Sequence, residues 1–136
     1  RNDLRFRLYL DEVIDSSLYY SGTFESDAEK CIENALRPGM VAIDIGANVG
    51  YHALRMAKAV GPSGKVIAVE PTRHAVERLR DNAALNDLPA LTVTQVALDD
   101  ANLGVKEIAF KSSYRLDGRL SEQIEPIEIV TLESLL

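Results

Sequence analysis

The chain has one cysteine, Cys31, in 136 residues. A lone thiol forms no internal disulfide and leaves no second thiol for a metal site. Cys31 is read as a small core or surface residue of a helix. Positive charge is also short: 15 Lys and Arg stand against 21 Asp and Glu, a formal net charge of −6. Phosphate backbones need a basic surface, so nucleic acid is not an expected partner. No apolar run is long enough to span a bilayer, and a cytoplasmic location is expected. The chain opens on Arg1 rather than Met, which reads as trimmed or processed. Adjacent Asp99 and Asp100 sit in a turn and are read as loop residues, so no metal site is predicted.

What is present centres on one stretch, Val41-Ala42-Ile43-Asp44-Ile45-Gly46-Ala47-Asn48-Val49-Gly50. The apolar run from Met40 to Ile45 reads as a strand buried on both faces, as in parallel sheets. It breaks at the glycine loop. Ala53, Leu54, Ala57 and Val60 then recur at helical spacing. Strand, glycine turn and helix open a βαβ nucleotide-binding unit.

Dinucleotides and S-adenosylmethionine (SAM) both use that opening. A dinucleotide pyrophosphate wants G-x-G-x-x-G, the middle glycine letting amides close on the anion. Here Asn48 stands where that glycine would be. Asp44, at the strand's end, would repel a pyrophosphate. It suits a ligand carrying an ammonium and a sulfonium, which is SAM. The bland alternative is a glycine turn with a hydrogen-bonded Asp and no ligand, against the cost of burying a carboxylate. Asn48 tolerates left-handed backbone and can serve the turn, the ligand or both.

Lys65 to Val69 reads as a second buried strand ending at Glu70, twenty positions after Gly50. An acid at that distance and place holds the two ribose hydroxyls in Rossmann-type folds. Pro71 fixes the exit from the strand.

D-x-G-A-N-x-G followed by Lys65-Val66-Ile67-Ala68-Val69-Glu70-Pro71 resembles class I SAM-dependent methyltransferases. More narrowly, the chain from about Leu18 onward resembles the FkbM family of O-methyltransferases. The resemblance implies a Rossmann-like α/β fold in three layers with a central, mostly parallel sheet. It implies SAM as cofactor and a hydroxyl of a small molecule or glycan as acceptor. It places Glu25 near the methionine end of the cofactor, where a solvated helix-start carboxylate is the bland alternative. It places Ala97 and Leu98 at the adenine, with Val96 where many members carry an acid. Asp44, Gly46, Ala47, Asn48, Gly50, Tyr51, Glu70 and Pro71 complete the expected cofactor set. His52, in the first helical turn, invites a general-base reading but is taken as a surface or cofactor-lining residue. No catalytic residue is assigned.

The remaining elements follow from local pattern. Leu4, Phe6, Leu8 and Leu10 alternate with polar residues as a short strand. Asp11 to Ser17 is a turn or short helix. Ser26-x-x-Glu29 is a capping box that starts a helix with Cys31, Ile32, Ala35 and Leu36 as its buried stripe. Pro38-Gly39 ends it. A helix capped by Thr72 runs to about Asn86, with Ala75, Val76, Leu79 and Ala83 packed and Arg73, Glu77, Arg78, Arg80 and Asp81 largely wet. Leu91 to Leu98 and Val105 to Lys111 are strands. Ser112 to Glu125 is expected to be a mobile loop, with Arg115 and Arg119 solvent-exposed. Ile127 to Leu132 is a strand antiparallel to the Val105 strand. Thr131 to Leu136 resembles the family's T-L-D-x-L/F segment.

Residues 1–136 thus read as one partial SAM-binding domain, with 1–37 leading into it and the C-terminal side apparently truncated. Such a sheet leaves its first strand with an open edge, through which copies of the chain would pair. The rival readings are a non-catalytic binding or assembly module and an NAD-binding oxidoreductase domain.

Overall fold

The computed structural model describes residues 3–112 and 121–136. The elements are α1 (Val13–Ser21), α2 (Ser26–Ala35), β1 (Val41–Ile45), α3 (Tyr51–Val60), β2 (Lys65–Val69) and α4 (Arg73–Ala84). They continue with β3 (Leu91–Thr94), β4 (Ala97–Leu98), β5 (Gly104–Ser112), β6 (Ser121–Val130) and α5 (Leu132–Leu135).

Strands β1, β2 and β3 form a parallel sheet in that order, with Val41 opposite Lys65 and Val66 opposite Leu91. The pleat sorts β2's side chains by parity. Ala68 packs with Ala47, Ala53 and Leu79, and Val66 with Ala57, Val60 and Ala90, on the α3 and α4 face. Ile67 and Val69 face the other way, onto Val96, with Leu98, Val130 and Leu135 beside them. That second face is covered by a smaller sheet, β4-β6-β5, in which β5 and β6 are an antiparallel hairpin and β4 joins β6 in parallel. The α/β, Rossmann-like architecture and the parallel sheet are as the sequence led us to expect.

Several local expectations change. The strand from Met40 to Ile45 is not buried on both faces: Val41 and Ile45 are 64% and 62% exposed. Among the described residues β1 has a neighbour on one side only, so it is an edge strand. The Leu91–Leu98 strand divides at Gln95 and Val96, its two parts joining different sheets. Residues 121–125 belong to β6, and Ser112 to β5, rather than to a loop. The register with β5 supplies their backbone partners, a long-range pairing that a polar stretch does not advertise. Arg115 and Arg119 lie outside the described residues. The final strand ends at Val130, because Thr131 caps the short helix α5 with its side-chain oxygen.

The N-terminal stretch from Leu4 to Tyr9 joins no sheet. Asn82, on α4, and Asn86, just beyond its end, take over its backbone. Asn82 Oδ1 accepts from Arg7 N at 2.8 Å, and Asn86 accepts from Arg5 N at 2.9 Å and donates to Arg5 O at 2.8 Å. Side-chain amides thereby do what a neighbouring strand would do.

Helix α2 starts at Ser26, but its cap is Glu25 in left-handed backbone, without a side-chain cap bond. Glu29 does not close a capping box. Its Oε1 accepts from Thr23 Oγ1 at 2.6 Å and from Phe24 N at 3.4 Å, reaching back into the loop instead. The expected stripe of α2 is not buried: no residue of the helix is, and Cys31 is exposed. Helix α2 packs against α3.

Arg78 reverses its expected role. It is 6% exposed and pairs with Glu12, at 2.6 Å, and with Asp15. Tyr9 stacks under its guanidinium at 4.5 Å. Asp15, 1% exposed, also accepts from Tyr9 N at 2.6 Å. This cluster fastens α1 to α4. No helix among the described residues is long and apolar enough to cross a membrane.

Candidate functional site

The glycine loop leaves β1 and turns back under the end of β2. Gly46 N and Ala47 N both donate to Val69 O, at 2.9 and 3.0 Å. Gly46, Asn48 and Gly50 have φ of 78°, 48° and 90°, so the chain passes three times through left-handed backbone in five residues. The glycines there serve different ends. A Cβ on Gly50 would meet Leu54 Cδ1 at 2.8 Å and Leu79 Cγ at 2.9 Å, so glycine lets α3 close on α4. A Cβ on Gly46 would meet nothing within 4 Å. It borders open space.

That space is a pocket of about 270 Å³ lined by Ile14, Phe24, Glu25, Asp44, Gly46, Ala47, Asn48, Val49, Tyr51 and His52. Three titratable side chains meet there. Asp44 is held at the end of β1, and its Oδ2 is buried without a hydrogen-bond partner. Burial raises its pKa above the usual carboxylate value, as does the Glu70 charge. The His52 charge and a hydrogen bond involving the Ala53 backbone oppose that rise. His52 Nε2 lies 3.0 Å from Glu25 Oε2, and its Nδ1 is buried and unpaired. A carboxylate only accepts hydrogen bonds, so the Nε2–H donates to Glu25.

The loop carrying Phe24 and Glu25 is anchored through Tyr51. The Tyr51 hydroxyl accepts from Phe24 N at 3.2 Å and from Arg55 at 2.6 Å. Arg55 lies over the Tyr51 ring at 4.4 Å and pairs with Glu29 at 3.5 Å. Glu29 in turn holds Thr23. Phe6 and Phe24 flank the same ring.

Of the residues picked from the sequence, the pocket gathers Glu25, Asp44, Gly46, Ala47, Asn48 and Tyr51. Tyr51 is 3% exposed, and its hydroxyl is engaged in fixing the loop. Gly50, Glu70, Pro71, Ala97 and Leu98 lie outside the lining. Glu70 is 7% exposed and supports the loop from below: Oε2 accepts from Asn48 N at 3.0 Å, and Oε1 from Thr72 N at 2.9 Å and Thr72 Oγ1 at 2.7 Å. Ala97 and Leu98 form β4 in the second sheet.

Sequence reasoning missed Asn82. It is 1% exposed, and its Nδ2 donates to Val49 O at 2.9 Å inside the glycine loop. A polar residue on the packed face of α4, one turn after Arg78, was the available signal. No group of three potential metal-binding side chains occurs among the described residues.

The residues present suit a cationic ligand. They offer a carboxylate oxygen, Asp44 Oδ2, buried without a partner, a second acid, Glu25, in the same lining, and open space at Gly46. With the Rossmann-like topology, they are the features of the cofactor side of class I SAM-dependent methyltransferases, and the family match below carries S-adenosyl-L-methionine as the cofactor. Residues 21–112 match the model of the protein-L-isoaspartate(D-aspartate) O-methyltransferase family, and the chain belongs to that family. A protein-L-isoaspartate O-methyltransferase of Methanothrix thermoacetophila is 42% identical over 74 residues, covering 54% of this chain and 34% of the relative. The chain thus spans about a third of the length of that curated relative. Among solved structures, a SAM-dependent O-methyltransferase from Thermotoga maritima superposes with a TM-score of 0.52 at 25% identity, over 65% of this chain and 37% of that one. A protein-L-isoaspartate O-methyltransferase shares the fold with a TM-score of 0.51 at 15% identity, over 80% of this chain and 47% of that one. The comparisons carry the class I part of the sequence resemblance and not its narrower FkbM part.

Proposed function

We propose that this chain is the cofactor-holding portion of a methyltransferase that esterifies the free α-carboxylate of isoaspartyl residues in proteins. The family match and the relatives named above support this acceptor over the hydroxyl of a small molecule or glycan that an FkbM resemblance implies. The chemistry is consistent with it. A carboxylate is already a nucleophile at neutral pH, so methyl transfer to it needs no general base.

The unpaired Oδ2 of Asp44 is the observation that carries cofactor binding. A buried carboxylate without a partner costs stability, and a cationic ligand would compensate it. SAM supplies an electrophilic methyl on a sulfonium. In this reading Asp44 and Glu25 face its positive end, and Gly46 and Ala47 leave room for it. Asn48 and Gly50 shape the loop. Tyr51 fixes the loop at Phe24, while Glu70, Pro71, Ala97 and Leu98 belong to the ribose and adenine side. Positioning, rather than covalent help from the protein, supplies the rate.

Labelled methyl transfer tests the acceptor. The chain, or a longer form that contains it, is incubated with methyl-labelled SAM and an isoaspartyl peptide. Label that is released by mild base is a carboxyl ester and supports the proposal. Label on a hydroxyl acceptor that survives base is an ether and would return the FkbM-like reading.

The open edge of β1, with Val41 and Ile45 exposed, supports pairing between copies as the oligomeric arrangement. A monomer at high concentration by light scattering would contradict that part.

A further inference from the structure

A short strap borders the pocket. Residues Gly22 to Glu25 join α1 to α2 and lie in no helix or strand. Phe24 and Glu25 line the pocket, and the Glu25 side chain is 58% exposed, so the strap stands between the pocket and solvent. Both its ends are in left-handed backbone, Gly22 with φ of 72° and Glu25 with φ of 57°. A non-glycine residue there is strained and persists because its surroundings hold it.

Side chains do the holding. Thr23 O accepts from Ser17 Oγ at 2.8 Å and from Ser21 Oγ at 2.9 Å. Phe24 N donates to the Tyr51 hydroxyl at 3.2 Å and to Glu29 Oε1 at 3.4 Å, and Thr23 Oγ1 donates to the same Glu29 oxygen. At the next residue, Glu25 Oε2 lies 3.0 Å from His52 Nε2. The strap is thus clasped to two consecutive residues of α3. Behind the clasp stands Arg55, one turn after Tyr51. It donates to the Tyr51 hydroxyl at 2.6 Å and pairs with Glu29 at 3.5 Å. The Arg55 and Glu29 side chains are 11% and 17% exposed, so solvent and salt screen this pair little. Neither residue lines the pocket. A segment held by a few side-chain bonds opens at lower cost than one paired in a sheet or helix.

We infer that residues Gly22 to Glu25 form a gate to the cofactor pocket, and that Arg55 is a positioning residue that keeps it shut by holding Tyr51 and Glu29. The inference rests on the SAM reading and goes beyond it. It assigns the rate of cofactor exchange to a residue outside the pocket lining. The bonds from Phe24 and Thr23 to Tyr51 and Glu29 join protein groups alone. They therefore favour the shut strap equally with the pocket empty or filled. Loosening them speeds entry and exit together and leaves the binding equilibrium in place.

Surface plasmon resonance with S-adenosylhomocysteine (SAH) over the immobilised chain reads both rates without any acceptor. Tyr51→Phe removes the hydroxyl and keeps the ring. Association and dissociation are expected to rise together in it, by about threefold to tenfold, as for one net hydrogen bond, with Kd nearly unchanged. Arg55→Gln alters no lining residue and is expected to act in the same direction. The double variant is expected to fall short of the product of the single effects, because Arg55 acts in part through that hydroxyl. Thr23→Val, which removes only the bond from Thr23 Oγ1 to Glu29, serves if either of the others fails to fold by circular dichroism. A purely structural role would lower the melting temperature and move neither rate, which overturns the inference. Faster dissociation alone, with Kd weakened in proportion, overturns it too, because the residues would then only shape the lining. A folded parent that does not bind SAH defeats the SAM reading and the gate with it.

Discussion

Glu70 and Asn48 are joined by a hydrogen bond of 3.0 Å from the Asn48 amide to Glu70 Oε2. The carboxylate at the end of β2 thus holds the glycine loop at its most constrained non-glycine residue, where φ is 48°. With Thr72 on its other oxygen, Glu70 ties β2, the loop and the start of α4 into one unit.

Glu70→Ala is therefore expected to cost about 1–3 kcal/mol, since it leaves the buried amides of Asn48 and Thr72 without an acceptor. Denaturant unfolding measures it. Unchanged stability would mean that water replaces the carboxylate without loss.

Gly46 borders the open pocket, whereas Gly50 serves the packing of α3 on α4. Gly50→Ala forces a Cβ against Leu54 and Leu79 at positive φ, and is expected to destabilise by about 1–3 kcal/mol. Gly46→Ala is strained as well but touches no protein atom, and is expected to cost about 1 kcal/mol while weakening cofactor binding strongly. Thermal melts and cofactor titration on both variants check this. Equal binding losses in the two would remove the distinction.

Arg78→Met removes the partner of Asp15 and Glu12. Breaking a buried ion pair on one side leaves an uncompensated charge, so a loss of about 3–5 kcal/mol is expected. A double replacement, Arg78→Met with Asp15→Leu, is expected to recover part of it. Unfolding midpoints of the three proteins decide.

Asp44 has its pKa raised by burial, so the folded state binds its proton more tightly than the unfolded state. Stability then falls as pH rises from the unfolded value through the folded one, and the ionised side chain is a burden at neutral pH. Asp44→Asn is expected to melt higher than the parent at pH 7. That advantage is expected to vanish near about pH 3, where both states of the parent are protonated. A parent more stable than the variant at pH 7 would mean that the contacts to Ala53 and His52 outweigh the burial of the charge.

Much of the stretch from β1 to β2 was legible because its signals are local. The apolar runs of β1 and β2, the glycines at 46 and 50 and the helical spacing of α3 each depend on neighbours in sequence. The acids Asp44 and Glu70 were found from their place at strand ends. Their division of labour was not legible: Glu70 is occupied by Asn48 and Thr72, and Asp44 keeps Oδ2 without a partner. Arg78 and Asn82 were missed because their partners lie 63 and 33 residues away, respectively, in α1 and in the glycine loop. The strand at Leu4 to Leu10 was misread because alternation marks an extended chain, not the partner that satisfies its backbone. Here that partner is a pair of asparagines, one on α4 and one just past its end.

Titration calorimetry of the chain with S-adenosylhomocysteine, beside Asp44→Ala, tests the central claim most directly. Saturable binding in the parent, lost in a variant that remains folded by circular dichroism, is the predicted result. Binding of equal strength in the two proteins, or none in a folded parent, would contradict the assignment of this pocket to the cofactor.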